Sequence, residues 1–188
     1  MENIEKAEEE RVSRKLFLKE VREYAAKQKH TLATTRFTNA TWEENCRFRE
    51  KNPNVRCAYT SPIPLSSHIA PESLLFVLEM NNETNRIMGV GLVQNRPIFG
   101  KYAIYTENIY NYFIYFGKWR IGVEDMAPYE REIMKIYEDL CFTGSKHMKR
   151  SHGITSFPLS IQYSCSRNID LMDFICQMFK KRMAQNKI

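Results

Sequence analysis

The side chains of this sequence best able to do chemistry are two tryptophans, a dense basic loop and a pair of histidines. Trp42 stands in Thr41-Trp42-Glu43-Glu44-Asn45-Cys46-Arg47-Phe48-Arg49. An indole can stack a nucleobase, worth about 1–3 kcal/mol per base, or it can sit in a core with its N–H bonded to a carbonyl. Asn45, Arg49 and Asn52 recur at three- to four-residue spacing and share a helix face. Asn can pair with the edge of adenine, and Arg with guanine or a phosphate. The same residues could also cap and solvate a helix.

A second set lies in Tyr110-Asn-Tyr112-Phe-Ile-Tyr-Phe116 and Lys118-Trp119-Arg120. Read as strands, Tyr110 and Tyr112 share a face, Lys118 and Arg120 share a face, and Trp119 points inward. An aromatic sheet face with basic neighbours suits single-stranded nucleic acid. It also suits a barrel wall covered by its own helices. The loop Lys146-His147-Met148-Lys149-Arg150-Ser151-His152-Gly153 is the densest basic segment, and its small residues leave the backbone open to a phosphate. Lys180, Lys181 and Arg182 end the last helical segment, where cations also complement the helix dipole. Of 28 Lys and Arg and 22 Asp and Glu, residues 141–188 hold 8 and 2, so the whole net charge of +6 lies in the last quarter. Such a field attracts polyanions.

Enzyme chemistry is poorly represented. His147 and His152 could serve a ribonuclease as acid and base, but no Walker loop, Gly-x-Ser-x-Gly or His-Glu-x-x-His accompanies them. The five cysteines, at 46, 57, 141, 165 and 176, form no Cys-x-x-Cys pair. Buried free thiols in an intracellular, reducing setting are expected, with no metal, no cofactor and no disulfide framework. With 43% hydrophobic and 27% charged residues the composition is globular rather than disordered. No run nears the roughly 18–20 apolar residues of a membrane span, so no membrane partner is expected.

The elements that must position these residues are a helix over 5–29, a strand over 31–37, and a short helix from Trp42 to Lys51, capped by Thr41 with Glu44 in a capping box. A strand at 56–60 follows, then a hairpin of Ser73–Met80 and Arg86–Val93 turning at Asn81–Asn85. Gly89 and Gly91 face one side of that hairpin, as a barrel corner or a ligand floor would require. Strands over 110–116 and 118–123 precede a helix over 129–142 led by Pro128 and ended by Gly144. A last strand at 154–157 and a helix over 169–184 capped by Asn168 complete an α+β fold of one domain, 31–188, behind an N-terminal helix, 1–30. That helix could dock a protein partner.

Thr41-Trp42-x-x-Asn45-x-x-x-Arg49-x-x-Asn52, Leu74-Leu-Phe-Val-Leu-Glu-Met80 and Ile87-x-Gly89-Val-Gly91-Leu-Val93 resemble the PUA-like superfamily, nearest to its EVE and YTH domains. The resemblance covers roughly residues 31–123. It implies a small open β-barrel of five to six strands with peripheral helices, holding a nucleobase in an aromatic pocket. In YTH domains that base is N6-methyladenine in RNA. Trp42 matches the first cage tryptophan and Asn45 the adjacent base-reading turn. The second cage tryptophan has no matching motif here, and Tyr110, Tyr112 or Trp119 would have to replace it.

The expectation is a non-catalytic nucleic-acid-binding module, with RNA favoured over DNA. Trp42, Asn45, Tyr110, Tyr112 and Trp119 would hold a base. Arg49, Lys118, Arg120, Lys146, His147, Lys149, Arg150, Lys180, Lys181 and Arg182 would hold phosphates. A ribonuclease and a protein-interaction scaffold are the alternatives.

Overall fold

Thr31, Thr34, Thr35 and Phe37 are β-branched or aromatic, types that suit a pleated, half-buried surface, and Thr31–Phe37 forms strand β1 in the computed structural model, which describes residues 2–100, 102–145 and 147–185. β1 runs parallel to β3 (Leu74–Asn81), with Thr31 opposite Leu75 and Phe37 opposite Asn81. β3 turns through Asn85, whose φ of 54° an asparagine tolerates, into β4 (Arg86–Gln94). β4 also pairs with β6 (Trp119–Gly122), and β1 carries the two-residue β7 (Thr155–Ser156) on its outer edge, giving the order β6-β4-β3-β1-β7. The crossover from β1 to β3 contains helix α2 (Asn39–Lys51) and β2 (Cys57–Ser61). β2 pairs with β5 (Phe113–Gly117) in a separate two-stranded sheet. The chain is thus α+β with a mixed five-stranded sheet, and its strands do not close into one barrel.

Alternation along the strands divides the core in two. On one face, Leu32, Phe76, Leu78, Ile87, Val90 and Ile121 pack against α3 (Pro128–Phe142) and α5 (Leu171–Ala184). On the other, Ala33, Phe37, Leu75, Val77 and Val93 meet Cys57, Tyr59, Ile114 and Tyr115 of the second sheet. Gly89 and Gly91 serve this second interface. A Cβ at Gly91 would overlap the Tyr59 hydroxyl, and one at Gly89 would overlap the Glu79 carboxylate. The bare backbone makes room for buried side chains, not for a ligand.

Several local expectations shift. α2 is capped by Thr38, whose Oγ1 accepts from the Thr41 amide at 3.1 Å while Thr41 Oγ1 accepts from the Thr38 amide at 2.9 Å. Glu44 therefore leaves the cap and accepts from the Thr106 amide instead. Tyr110 falls in a 3-10 turn, Asn108–Asn111, so β5 begins only at Phe113. Residues 159–166, unassigned from sequence, form α4 (Leu159–Ser166), which moves the start of the last helix to Leu171 with Asp170 as its cap. Helix α1 (Glu2–Lys27) docks on α4 through Phe17, Glu20 and Tyr24, all against Tyr163. Its Val12 and Leu16 are exposed. Among the described residues no helix is long and apolar enough to cross a membrane.

Candidate functional site

A cleft of about 390 Å³ opens where the end of β1 faces the end of β2. Thr35, Phe37, Thr38 and Thr41 line it from β1 and the start of α2; Thr60, Pro62, Tyr105 and Tyr110 line the opposite side. The segment Lys149–Gly153 forms the third wall. Among the described lining residues are Arg36, Lys149, Arg150 and His152, and no Asp or Glu.

The basic wall is held by a residue that sequence reasoning missed. Arg36 Nε donates to the Met148 carbonyl at 2.6 Å, Nη1 to the Gly153 carbonyl at 3.3 Å and Nη2 to Thr34 Oγ1 at 3.0 Å. By strand alternation its side chain lies on the face of β1 opposite Thr35 and Phe37, so it clasps the loop from behind. No carboxylate is among these contacts, and burial pulls the guanidinium down to about 10, which leaves it charged at neutral pH. Asn82 Nδ2 donates to the Lys149 carbonyl at 3.0 Å, and Lys149 Nζ donates to Asn85 Oδ1 at 2.9 Å. At the far end Gly153 adopts φ +64° with its backbone directly against Ser61, so a side chain there would overlap the Ser61 hydroxyl.

The aromatic side is equally fixed. Asn111 Oδ1 accepts from the amides of Ile104 and Tyr105, both at 3.1 Å, and its Nδ2 donates to the Tyr105 carbonyl at 2.7 Å. The Tyr105 ring is buried, and desolvation pushes its hydroxyl above the ordinary tyrosine range, so it stays neutral. Tyr110 stands edge-on to it with centroids 6.4 Å apart.

The structure gathers only part of the expected site. Tyr110, Lys149 and Arg150 line the cleft, as does His152. Lys146 lies outside the described residues. His147 is half-buried, with Nδ1 accepting from the Lys149 amide, and only His152 of the histidine pair lines the cleft. Trp42 does not line it. Its indole meets Phe37 edge-on at 5.1 Å, and the Arg49 and Arg120 guanidinium carbons lie 5.3 and 5.6 Å from its ring centre. Asn45 is 0% exposed, donating to the Ala58 carbonyl at 2.7 Å and the Tyr105 hydroxyl at 3.0 Å. Its oxygen accepts from Arg49 Nε at 2.9 Å, so no edge is left to read a base and Arg49 is occupied within its own helix.

Arg120 corrects the strand reading. It points inward and donates to Glu79 from both Nε and Nη2, while Trp119 is the partly exposed residue at 36%. The buried Glu79 carboxylate pulls it in, and Tyr59 completes the group by donating to Glu79 at 2.8 Å. Lys118 and Trp119 adjoin Gly117, which pairs with Cys57 at the end of the second sheet away from Ser61, about 13 Å from the cleft at strand rise. Tyr112 is 61% exposed beside the 3-10 turn and does not line the cleft. Arg182 is buried in an ion pair with Glu130 at 2.6 Å, and Lys180 and Lys181 lie on α5 across the five-stranded sheet. None of these residues lines the cleft.

Among the described residues no three His, Cys, Asp or Glu side chains converge to hold a metal ion. Fold and site together define an α+β protein with an acid-free, cationic and aromatic cleft. No family model matches the chain, and no curated protein or solved structure matches it.

Proposed function

We propose that this protein is a nucleic-acid-binding module that takes single-stranded RNA at the cleft between β1 and β2. One observation carries the reading: Lys149, Arg150 and His152 line the same cleft as Phe37, Tyr105 and Tyr110, with no carboxylate among the described lining residues. Polyanions with flat apolar bases need both halves. The cations hold phosphate, and the half-buried Tyr110 offers its ring to a base. The hydroxyls of Thr35 on β1 and Thr60 on β2 add donors and acceptors for ribose or a base edge. In this reading the two facing sheets are an opened PUA-like barrel, the fold the sequence resembles. The reading does not extend to a methyladenine cage, because Trp42 is engaged elsewhere.

Fluorescence anisotropy with a short single-stranded RNA, repeated over a range of salt, tests it. Binding should weaken linearly on a log–log plot, by about 0.7 per phosphate contact. Absence of binding at about 0.15 M salt, or tighter binding to duplex DNA, would contradict it.

A further inference from the structure

We infer that the basic wall of the cleft is a phosphate-monoester site, so that the protein takes the phosphorylated end of a strand and not its middle. The inference rests on the nucleic-acid reading and narrows it.

Three observations converge. First, the wall presents more positive charge and more donors than a backbone diester uses. Lys149, Arg150 and His152 line it, and the amides of Arg150, His152 and Gly153 donate to no described residue. Successive free amides of this kind form anion-binding concavities. A monoester carries about −1.5 to −2 charge at neutral pH and three acceptor oxygens, against a single charge on a diester. Second, Arg36 lies behind the wall with no carboxylate among its contacts. Its charge adds to the field in front of the loop, where the described lining residues include no carboxylate. Third, the loop is anchored to β2 at the margin of the cleft. Gly153 packs its backbone on Ser61, joining the loop to β2. A strand entering between the walls would have to cross this contact with a further nucleotide. A terminal nucleotide fits without one: its base lies toward Tyr105 and Tyr110 and its phosphate against 150–153.

The test uses the full chain and one short single-stranded RNA, labelled internally, with a phosphate at one end, at the other, or at neither. One phosphorylated form should bind at least about tenfold tighter than the unphosphorylated one, the effect of a charge-assisted contact. The preference should shrink in Arg150→Met, an exposed position whose loss spares the fold. Backbone amide resonances of 150–153 should move with the phosphorylated RNA and with a free mononucleotide. Equal affinity for all three RNAs overturns the inference and leaves RNA binding standing. Mononucleotide-induced shifts at 150–153 without any RNA affinity support the monoester site and overturn the RNA reading. If neither RNA, mononucleotide nor inorganic phosphate moves those resonances, both are wrong.

Discussion

Arg120 Nη2 lies 2.8 Å from Glu79 Oε2, with the carboxylate fully buried and the guanidinium nearly so. Burial alone would lower the arginine pKa, and Glu79 more than offsets it, so the group is held firmly charged. The pair fills the space left by Gly89 and carries the Tyr59 hydroxyl on its other oxygen. It is a core strut.

Replacing one partner of that pair strands the other. Glu79→Gln should cost about 3–5 kcal/mol in urea unfolding, the usual consequence of an uncompensated buried charge. The RNA affinity of the folded fraction should stay unchanged. A selective loss of affinity with normal stability would return Arg120 to the binding surface.

The cations that matter for binding are those of the loop. Lys149→Ala and Arg150→Ala should each lower the salt slope of RNA binding by about 0.7. Lys180→Ala and Lys181→Ala should leave it alone, since α5 lies across the sheet from the cleft. Salt-dependent anisotropy on the four variants separates the two surfaces.

Acid sensitivity should trace to Glu130. Burial raises its pKa, but hydrogen bonds from Arg182 and from the Ala127 amide outweigh that, and the net shift is below the ordinary 4.5. A carboxylate with a depressed folded value binds fewer protons folded than unfolded, so its stabilisation is complete above about pH 4.5 and fades as pH falls through the folded value. Glu130→Gln should therefore be less stable than wild type at pH 7. The two should converge as acid is added, measured by urea unfolding at each pH.

Much of the fold was legible because its signals are local. The limits of β1, the Asn81–Asn85 turn, and Pro128 and Gly144 around α3 all follow from neighbouring residues. The inward turn of Arg120 was not legible. Lys118-Trp119-Arg120 alternates equally well with either face inside, and the choice is made by Glu79, 41 residues away. Asn45 was misread for the same reason, since its partners Ala58 and Tyr105 lie 13 and 60 residues on. Of the cleft, Tyr110, Lys149, Arg150 and His152 stood out by composition. Arg36, Thr60, Asn82 and Tyr105 carry no local mark and converge only when β1, β2 and the loop meet.

Photo-crosslinking of bound single-stranded RNA, with the attached peptides mapped by mass spectrometry, tests the location of the ligand most directly. Crosslinks should fall on residues 105–110 and 147–153. Crosslinks confined to Trp119 and its neighbours, or to the C-terminal half of α5, would contradict a cleft between β1 and β2 as the place where RNA sits.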